Sequence, residues 1–198
     1  MFKRMSVLVR RPDHDRATFS ELWAQHAAPV SQLPRVRGYL QNHIEEDFSP
    51  ASPIQADGFV ELLWDRPEDM AAAFGSEAAR PMVEDEPGFL GHGSGYALAG
   101  SEMRFEASAS KLVIAALGNW RSLERAVTSL AGLEASLRDD VTTLIAKPGM
   151  TPPQHVDAFF HLWFRDDGAA RTAATRLTEF RDDAVSVGVY RVRTLRFV

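Results

Sequence analysis

Three polar side chains near the start of the chain are of types that transfer protons at neutral pH. His26 interrupts an apolar helical stripe at a position where the spacing calls for leucine. Tyr39 and His43 lie on a predicted strand and share one of its faces, because side chains alternate with a period of two. Imidazole exchanges protons near pH 7, and a phenol can donate to developing negative charge. If that face meets the helix, the spacing predicts a general acid–base site between the two.

The residues around this trio supply candidate walls and a candidate carboxylate. Trp23, on the same helical stripe, and Phe59, on a later strand, are expected to form apolar walls for a substrate. Glu61 has the strand parity of Phe59, so it is expected to contact the substrate or to orient His26 or His43. The structural alternative is an exposed Glu61 at a sheet edge.

Residues 1–106 contain elements in the order β-α-β-β-α-β. Strands are predicted over 5–11, 38–46, 58–64 and 96–105, helices over 18–33 and 67–74, and a glycine-rich loop over 88–95. The first helix opens with a capping box at 18–21. Pro29 removes the amide that would bond to the Gln25 carbonyl, so a kink is expected beside His26.

Residues 107–198 repeat this order. Strands are predicted over 111–117, 141–147, 156–164 and 185–198, helices over 122–137 and 169–180, and a loop over 148–153. Residues 57–64 resemble 157–164, which favours a duplicated unit of about one hundred residues. The second unit has leucines where the first has His26, so we expect it to be a degenerate unit without the proton-transfer residues.

These patterns predict an α+β protein made of two ferredoxin-like βαββαβ units, residues 1–106 and 107–198. Such a unit leaves one sheet face uncovered. The two units are therefore expected to pack sheet-to-sheet as an intramolecular dimeric α/β barrel, a pseudo-dimer within one chain. Two independent domains are the alternative, and further homodimerisation is left open.

Composition excludes several classes of protein. The 198 residues are 45% hydrophobic and 25% charged, which is typical of a globular chain. A net charge of −5 without a basic run argues against a nucleic-acid partner. The absence of cysteine excludes disulfides and thiolate chemistry. No signal peptide or membrane-spanning run is recognisable, so we expect no membrane partner and a cytoplasmic location.

The N-terminal unit resembles the EthD family of dimeric α/β-barrel proteins. The resemblance covers residues 5–105 and is carried by the segments 18–26, 33–43, 57–64 and 83–90. Two positions depart from the family pattern: relatives usually have proline where Ala28 stands, one residue before Pro29, and glycine where Arg35 stands. The second unit is similar to the family in architecture only.

The resemblance implies a pocket between sheet and helices and no metal or organic cofactor. We therefore expect a cofactor-independent lyase, cyclase or isomerase acting on a small aromatic, polyketide-like or lactone substrate. His26 would be the principal acid–base residue, Tyr39 would donate to an enolate or phenolate oxygen, and His43 would relay protons or hold the substrate. The alternatives are a non-catalytic binding or accessory protein of an oxygenase or degradation pathway and a cofactor-free monooxygenase.

Two further histidines have simpler interpretations. His92, in the glycine-rich loop, could cover the pocket as a lid, whereas His161 is expected to be a partly buried structural residue. Neither completes the spacing of a metal site, so no metal is predicted.

Overall fold

The computed structural model of the chain describes residues 1–146, 152–180, 182 and 184–198. Within this part, eight antiparallel strands form a closed barrel in the order β1-β3-β2-β8-β5-β7-β6-β4. The strands are Phe2–Arg10 (β1), Gly38–Asp47 (β2), Gly58–Trp64 (β3), Leu90–Leu98 (β4), Ser110–Gly118 (β5), Leu133–Ile145 (β6), Ala158–Phe164 (β7) and Val185–Arg196 (β8). The α-helices are Arg16–Gln25 (α1), Ala27–Ser31 (α2), Pro67–Phe74 (α3), Arg80–Asp85 (α4), Arg121–Thr128 (α5) and Asp167–Thr178 (α6).

The prediction of two ferredoxin-like units packed sheet-to-sheet is wrong, because strands from the two parts of the chain join edge to edge. β2 pairs with β8, with Leu40 opposite Arg196, and β4 pairs with β6, with Gly95 opposite Ile145. An open sheet edge carries unpaired N–H and C=O groups, and closing the barrel pairs them. The result is one continuous sheet around a common interior instead of two sheets that cover each other.

Apolar side chains fill three regions: the barrel interior and one cluster under the helices on each side. In the interior, the ring of Phe59 lies 5.3 Å from that of Tyr190 and 6.3 Å from that of Phe159, between centroids. The outer cluster beneath α1 to α4 includes Trp23 and Tyr39. Each strand therefore presents one set of side chains to the interior and the alternate set to the helices.

The helix that carries His26 is interrupted there, as Pro29 predicts: α1 ends at Gln25 and α2 begins at Ala27. The predicted capping box is not the N-cap, because the side chain of Asp15 accepts the Thr18 amide at 2.7 Å.

Arg35, just beyond α2, has a φ of +60°. Glycine adopts this left-handed conformation more readily than any other residue. In this chain, the Arg35 guanidinium pairs with Asp69 at 2.6 Å.

Three predicted elements are wrong for identifiable reasons. The predicted helix 122–137 is in fact α5 followed by β6, because Gly132, with a φ of +75°, turns the chain between them. The predicted loop 88–95 and strand 96–105 are replaced by β4, whose glycines permit close approach. A Cβ on Gly95 would stand 3.0 Å from the carbonyl oxygen of Ile145 on β6.

The remaining predicted strands agree more closely with the structure. The predicted ends of β2, β3, β5, β7 and β8 lie within two residues of the observed ones, and β1 begins three residues earlier than predicted. Lys147 and the predicted loop up to residue 151 lie outside the described residues. Among the described helices, none has the length and apolarity to cross a bilayer.

Candidate functional site

His26 is buried at the junction of α1 and α2, with only 5% of its surface exposed. Its Nδ1 lies 2.7 Å from Oδ2 of Asp85, at the end of α4, and its ring lies 4.9 Å from that of Phe89. A carboxylate can only accept, so Nδ1 carries a proton. In neutral His26 the basic lone pair is therefore on Nε2, and Asp85 stabilises the imidazolium that forms when Nε2 takes up a proton.

Tyr39, Gln41 and His43 share the face of β2 that meets the helices, as the strand period predicts. They form a continuous hydrogen-bonded chain. Ser20 Oγ lies 2.7 Å from His43 Nδ1, and His43 Nε2 lies 2.8 Å from Gln41 Oε1. Gln41 Nε2 lies 2.6 Å from Tyr39 Oη and 2.8 Å from the carbonyl oxygen of Trp23.

The Trp23 carbonyl fixes the direction of these hydrogen bonds. Because it only accepts, Gln41 Nε2 donates to it and uses its second N–H for Tyr39 Oη. Gln41 Oε1 then accepts from His43 Nε2, which leaves His43 Nδ1 to accept the Ser20 hydroxyl. Tyr39 keeps its own proton, for which no acceptor is found among the described residues. The phenol is therefore an available donor.

Burial sets the protonation states of this chain. Burial, with a smaller contribution from the charge of Arg193, lowers the pKa of His43 to about 3. Burial also raises the pKa of Tyr39 above its usual range, although the hydrogen bond from Gln41 opposes this. At neutral pH, His43 is therefore uncharged and Tyr39 is protonated.

A narrow pocket of about 40 Å³ brings His26 and Tyr39 together. Its polar lining comes from Arg4, Ser6, His26, Tyr39 and Glu86. Its apolar lining comes from Trp23 and from aliphatic and aromatic side chains of the surrounding strands and helices, among them Leu8, Val30, Val60, Leu62 and Phe89. A few polar groups in a mainly apolar cleft are typical of sites for small organic molecules.

His43 was predicted to relay protons or to hold the substrate, but it does not line this pocket. Its ring lies 4.2 Å from that of Trp23, between centroids, at an interplanar angle of 34°, and reaches Tyr39 only through the amide of Gln41. An amide cannot pass a proton on without becoming an imidic acid. His43 is therefore a positioning residue that orients Gln41 and, through it, the Tyr39 hydroxyl.

Phe59 and Glu61 do not belong to this pocket, because their face of β3 points into the barrel. Glu61 is 1% exposed and pairs with Lys3 and Lys111, each at 2.9 Å. The predicted role of Glu61 as a partner of His26 or His43 is therefore wrong, and so is the predicted exposed position at a sheet edge. Parity correctly placed Phe59 and Glu61 on one face, but it could not say on which side of the sheet that face lies.

The two further histidines with sequence-based predictions, His92 and His161, are also placed differently from those predictions. His161 is fully buried inside the barrel, with Nε2 3.2 Å from Asp139 Oδ2. His92 lies on β4 opposite Val9, so it belongs to the barrel wall and not to a lid. In the described part of the chain, no group of three or more His, Asp or Glu side chains is arranged to hold a metal ion.

Arg4 is the functional candidate that sequence reasoning missed. It lies on the outward face of β1, and its side chain reaches the pocket with only 6% of its surface exposed. The guanidinium stacks on Phe74 at 4.6 Å from the ring centroid. The signal available in the sequence was the charge of Arg4 itself. Arg4 occupies a buried, outward-facing position of β1 and shares that face with Ser6 and Leu8.

Residues 11–93 match the family model of the EthD domain. This range includes all three predicted catalytic residues, but Arg4 lies outside it. Comparison with curated protein sequences finds no match.

Solved structures resemble the whole chain in fold. An anthrone oxidase-like protein has a TM-score of 0.56 at 8% identity, with 98% of this chain and 92% of that chain covered. A proposed monooxygenase from Fusobacterium nucleatum gives 0.55 at 7% identity, with the same coverage. A proposed chlorite dismutase gives 0.54 at 9% identity, with 98% and 95% covered. The neighbours have the dimeric α/β-barrel fold, and identities this low establish similarity of fold alone.

Proposed function

We propose that the chain is a cofactor-independent acid–base enzyme that acts on a small aromatic, polyketide-like or lactone substrate in the pocket outside the barrel. The observation that carries this proposal is that one pocket holds both a candidate base and a candidate oxyanion donor. His26 is backed by Asp85, and Tyr39 is a protonated phenol with an available O–H. A base and an oxyanion donor in one apolar cleft are the requirements for removing a proton next to a carbonyl group.

The first step follows from these two residues. His26 Nε2 takes the proton from a carbon beside a carbonyl, and the C–H electron pair moves onto the carbonyl oxygen as an enolate. Tyr39 donates a hydrogen bond to that oxygen. Return of the proton to another carbon gives isomerisation, attack of the enolate carbon on a second carbonyl gives cyclisation, and expulsion of a leaving group gives a lyase.

A second candidate shares this first step. The enolate carbon can instead give its electrons to O₂ and form a C–O bond, and loss of water from the resulting hydroperoxide leaves a new carbonyl. The names of two structural neighbours, anthrone oxidase-like protein and proposed monooxygenase, favour this variant. In both candidates His26 is the base, so one experiment can test the shared step and then separate the outcomes.

The test measures deuterium exchange of two carbon acids, anthrone and 2-tetralone. The exchange is monitored by NMR in D₂O under nitrogen. The wild type should accelerate exchange of the acidic C–H, and His26→Ala should lower that rate by about 10²- to 10⁴-fold. His155→Ala, at an exposed histidine, is the matched control and should keep the wild-type rate. Admitting O₂ then separates oxygenation, which consumes it, from isomerisation, which does not.

Two results would overturn the proposal. One is a folded His26→Ala variant that exchanges as fast as the wild type. The other is a wild type that binds both probes, seen as thermal stabilisation, without exchanging either. The second result would favour the non-catalytic binding protein.

The division into a site-bearing unit (1–106) and a degenerate unit (107–198) belongs to the same proposal. In the C-terminal part, the surface beneath α5 and α6 is packed with apolar side chains. Leu123, Val127 and Leu177 are each at most 2% exposed there. We therefore expect one working pocket per chain, on the N-terminal side.

A further inference from the structure

A second cavity adjoins the pocket of His26 and Tyr39. It has a volume of about 320 Å³ and opens to solvent between α3, α4 and the end of β6. The two cavities share four lining residues: Arg4, Phe74, Met82 and Glu86. The outer cavity is otherwise almost entirely apolar, with Met70, Val83 and Ile145 in its wall. We call it the outer chamber.

Arg4 lies at the boundary between the two cavities. Contacts within the protein compensate only part of the cost of burying its guanidinium. Its Nε is buried and has no hydrogen-bond partner among the described residues. Burial lowers the pKa of Arg4 to about 10, although the charge of Glu86 opposes this, so the guanidinium is still charged at neutral pH. A buried cation with an unpaired donor is costly unless something else binds to it.

The backbone around Arg4 is shaped to accept this side chain. A Cβ on Gly95, on the neighbouring strand β4, would stand 3.1 Å from Arg4 Nη2. Glycine therefore leaves the room that the guanidinium occupies. With Phe74 on its other side, the planar group is held in one place at the mouth of the inner pocket.

The lining of the outer chamber suits apolar rings. Methionine side chains adapt their shape to a guest and make favourable contacts with aromatic rings, and Met70 and Met82 both line this space. Val83 on its rim is 55% exposed, although it is a large apolar residue.

From these observations we propose that the substrate is an anionic molecule with at least two fused rings. Its carboxylate or acidic enol oxygen pairs with Arg4, and its apolar rings occupy the outer chamber. This inference deepens the proposed function and rests on it for the direction of the reacting carbon, which faces His26 and Tyr39. Arg4 and the outer chamber determine specificity in this arrangement.

The test compares 2-naphthoate with its neutral analogue 2-naphthamide by isothermal titration calorimetry at pH 7. Neither probe has an acidic C–H for His26 to deprotonate, so binding is measured without reaction. The wild type should bind the naphthoate at least about tenfold more tightly, because a charge-assisted hydrogen bond to a buried guanidinium is strong. Arg4→Met should abolish that preference and keep the affinity for the amide.

Two further variants locate the binding. Met82→Trp, which fills the outer chamber, should weaken binding of both probes. Arg80→Met removes an exposed arginine at the start of α4 and should change neither affinity. If Arg4→Met does not fold, Arg4→Lys serves in its place. It keeps the charge, loses the planar fork and should reduce the preference severalfold.

The inference is overturned if the wild type binds neither probe or binds them equally. It is also overturned if Arg4→Met keeps the preference or if Met82→Trp leaves both affinities intact. His26→Ala should retain the preference for naphthoate, and this separates the two proposals. Absence of deuterium exchange together with a preference for naphthoate contradicts only the proposed enzyme activity. Absence of that preference together with deuterium exchange contradicts only the proposed anionic substrate.

Discussion

Lys3 and Arg4 are neighbours in β1, and their side chains point to opposite sides of the barrel wall. Lys3 points inward, where its Nζ lies 2.7 Å from Asp139 and 2.9 Å from Glu61, both fully buried. Arg4 points outward, stacks on Phe74 and keeps an unpaired Nε. The comparison teaches that buried charge alone does not indicate function. The interior charges form ion pairs with one another, and we propose that the outer charge is left for a ligand.

The interior cluster, defined here as Lys3, Glu61, Lys111, Asp139 and His161, also joins the two parts of the chain. Lys3 pairs with Asp139, and Glu61 pairs with Lys111, so each of these pairs crosses between the N-terminal and C-terminal strands. Asn42 accepts a further hydrogen bond from Lys111 at 2.9 Å. We interpret the cluster as a structural device that fixes how the two sets of strands meet.

The largest expected effect concerns stability. Lys3→Met leaves Asp139 without its lysine and Glu61 with Lys111 alone, so one buried negative charge is uncompensated and the free energy of unfolding should fall by about 3–5 kcal/mol. Arg4→Met should change it by no more than about 1 kcal/mol, because burial of an incompletely paired charge is relieved while a contact with Phe74 is lost. Urea unfolding followed by circular dichroism measures both. A larger loss of unfolding free energy for Arg4→Met than for Lys3→Met would contradict this difference between the two residues.

The next effect concerns the phenol of the pocket. Tyr39→Phe removes the oxyanion donor, and the exchange rate should fall by about 10²- to 10³-fold. Stability should fall by about 1–3 kcal/mol, because Gln41 loses an acceptor. Tyr96→Phe, inside the barrel, removes a hydroxyl that bonds to the Gln154 carbonyl and is the matched control. Equal exchange rates in the two variants would show that the hydroxyl of Tyr39 has no special role.

A smaller effect concerns the pH dependence of stability. Burial alone would raise the pKa of Glu61, but His161 and the two lysines lower it well below 4.5, and Asp139 is lowered from 3.8 in a similar way. A carboxyl with a lowered pKa in the folded state contributes stability above its unfolded pKa, and this is lost as pH falls through the folded value. Urea unfolding should therefore show stability falling below about pH 4.5. Glu61→Gln should flatten this fall, and an unchanged slope would contradict the assignment.

The smallest effect concerns the hydrogen bonds behind the pocket. Ser20→Ala removes the donor to His43 and should cost less than about tenfold in exchange rate, since one neutral hydrogen bond contributes about 0.5–1.5 kcal/mol. The pH–rate profile above pH 5 should keep its shape, because the pKa of His43 is about 3. A profile that changes near neutral pH on this substitution would show that His43 titrates during turnover.

Local patterns predicted the part of the site that depends on period and chain breaks. The alternation of β2 placed Tyr39 and His43 on the helical face, and Pro29 predicted the interruption at His26. The strand period did not predict which face of β3 points inward, because only the closed topology decides this. Glu61 and Phe59 share a face, and both lie in the barrel interior. The spacing of leucines beyond Thr128 mimicked a helix until Gly132 turned the chain.

Partners that are distant in sequence were beyond the reach of these patterns. Asp85 reaches His26 from α4, and Phe74 holds Arg4 from α3. Neither pairing follows a spacing rule, since each depends on how a helix lies over the sheet. Edge-to-edge closure was missed for a similar reason, because the pattern of a strand does not show which other strand its free edge will meet.

The most direct test of the account is chemical rescue of the folded His26→Ala variant in the exchange assay under nitrogen. Added imidazole should restore exchange in proportion to its concentration and with a pH dependence that follows its own titration, because it supplies the missing base beside an intact Tyr39. The double variant His26→Ala/Tyr39→Phe should be rescued far less. Exchange that imidazole does not restore, or restores equally in both variants, would contradict a pocket in which His26 takes the proton and Tyr39 stabilises the anion.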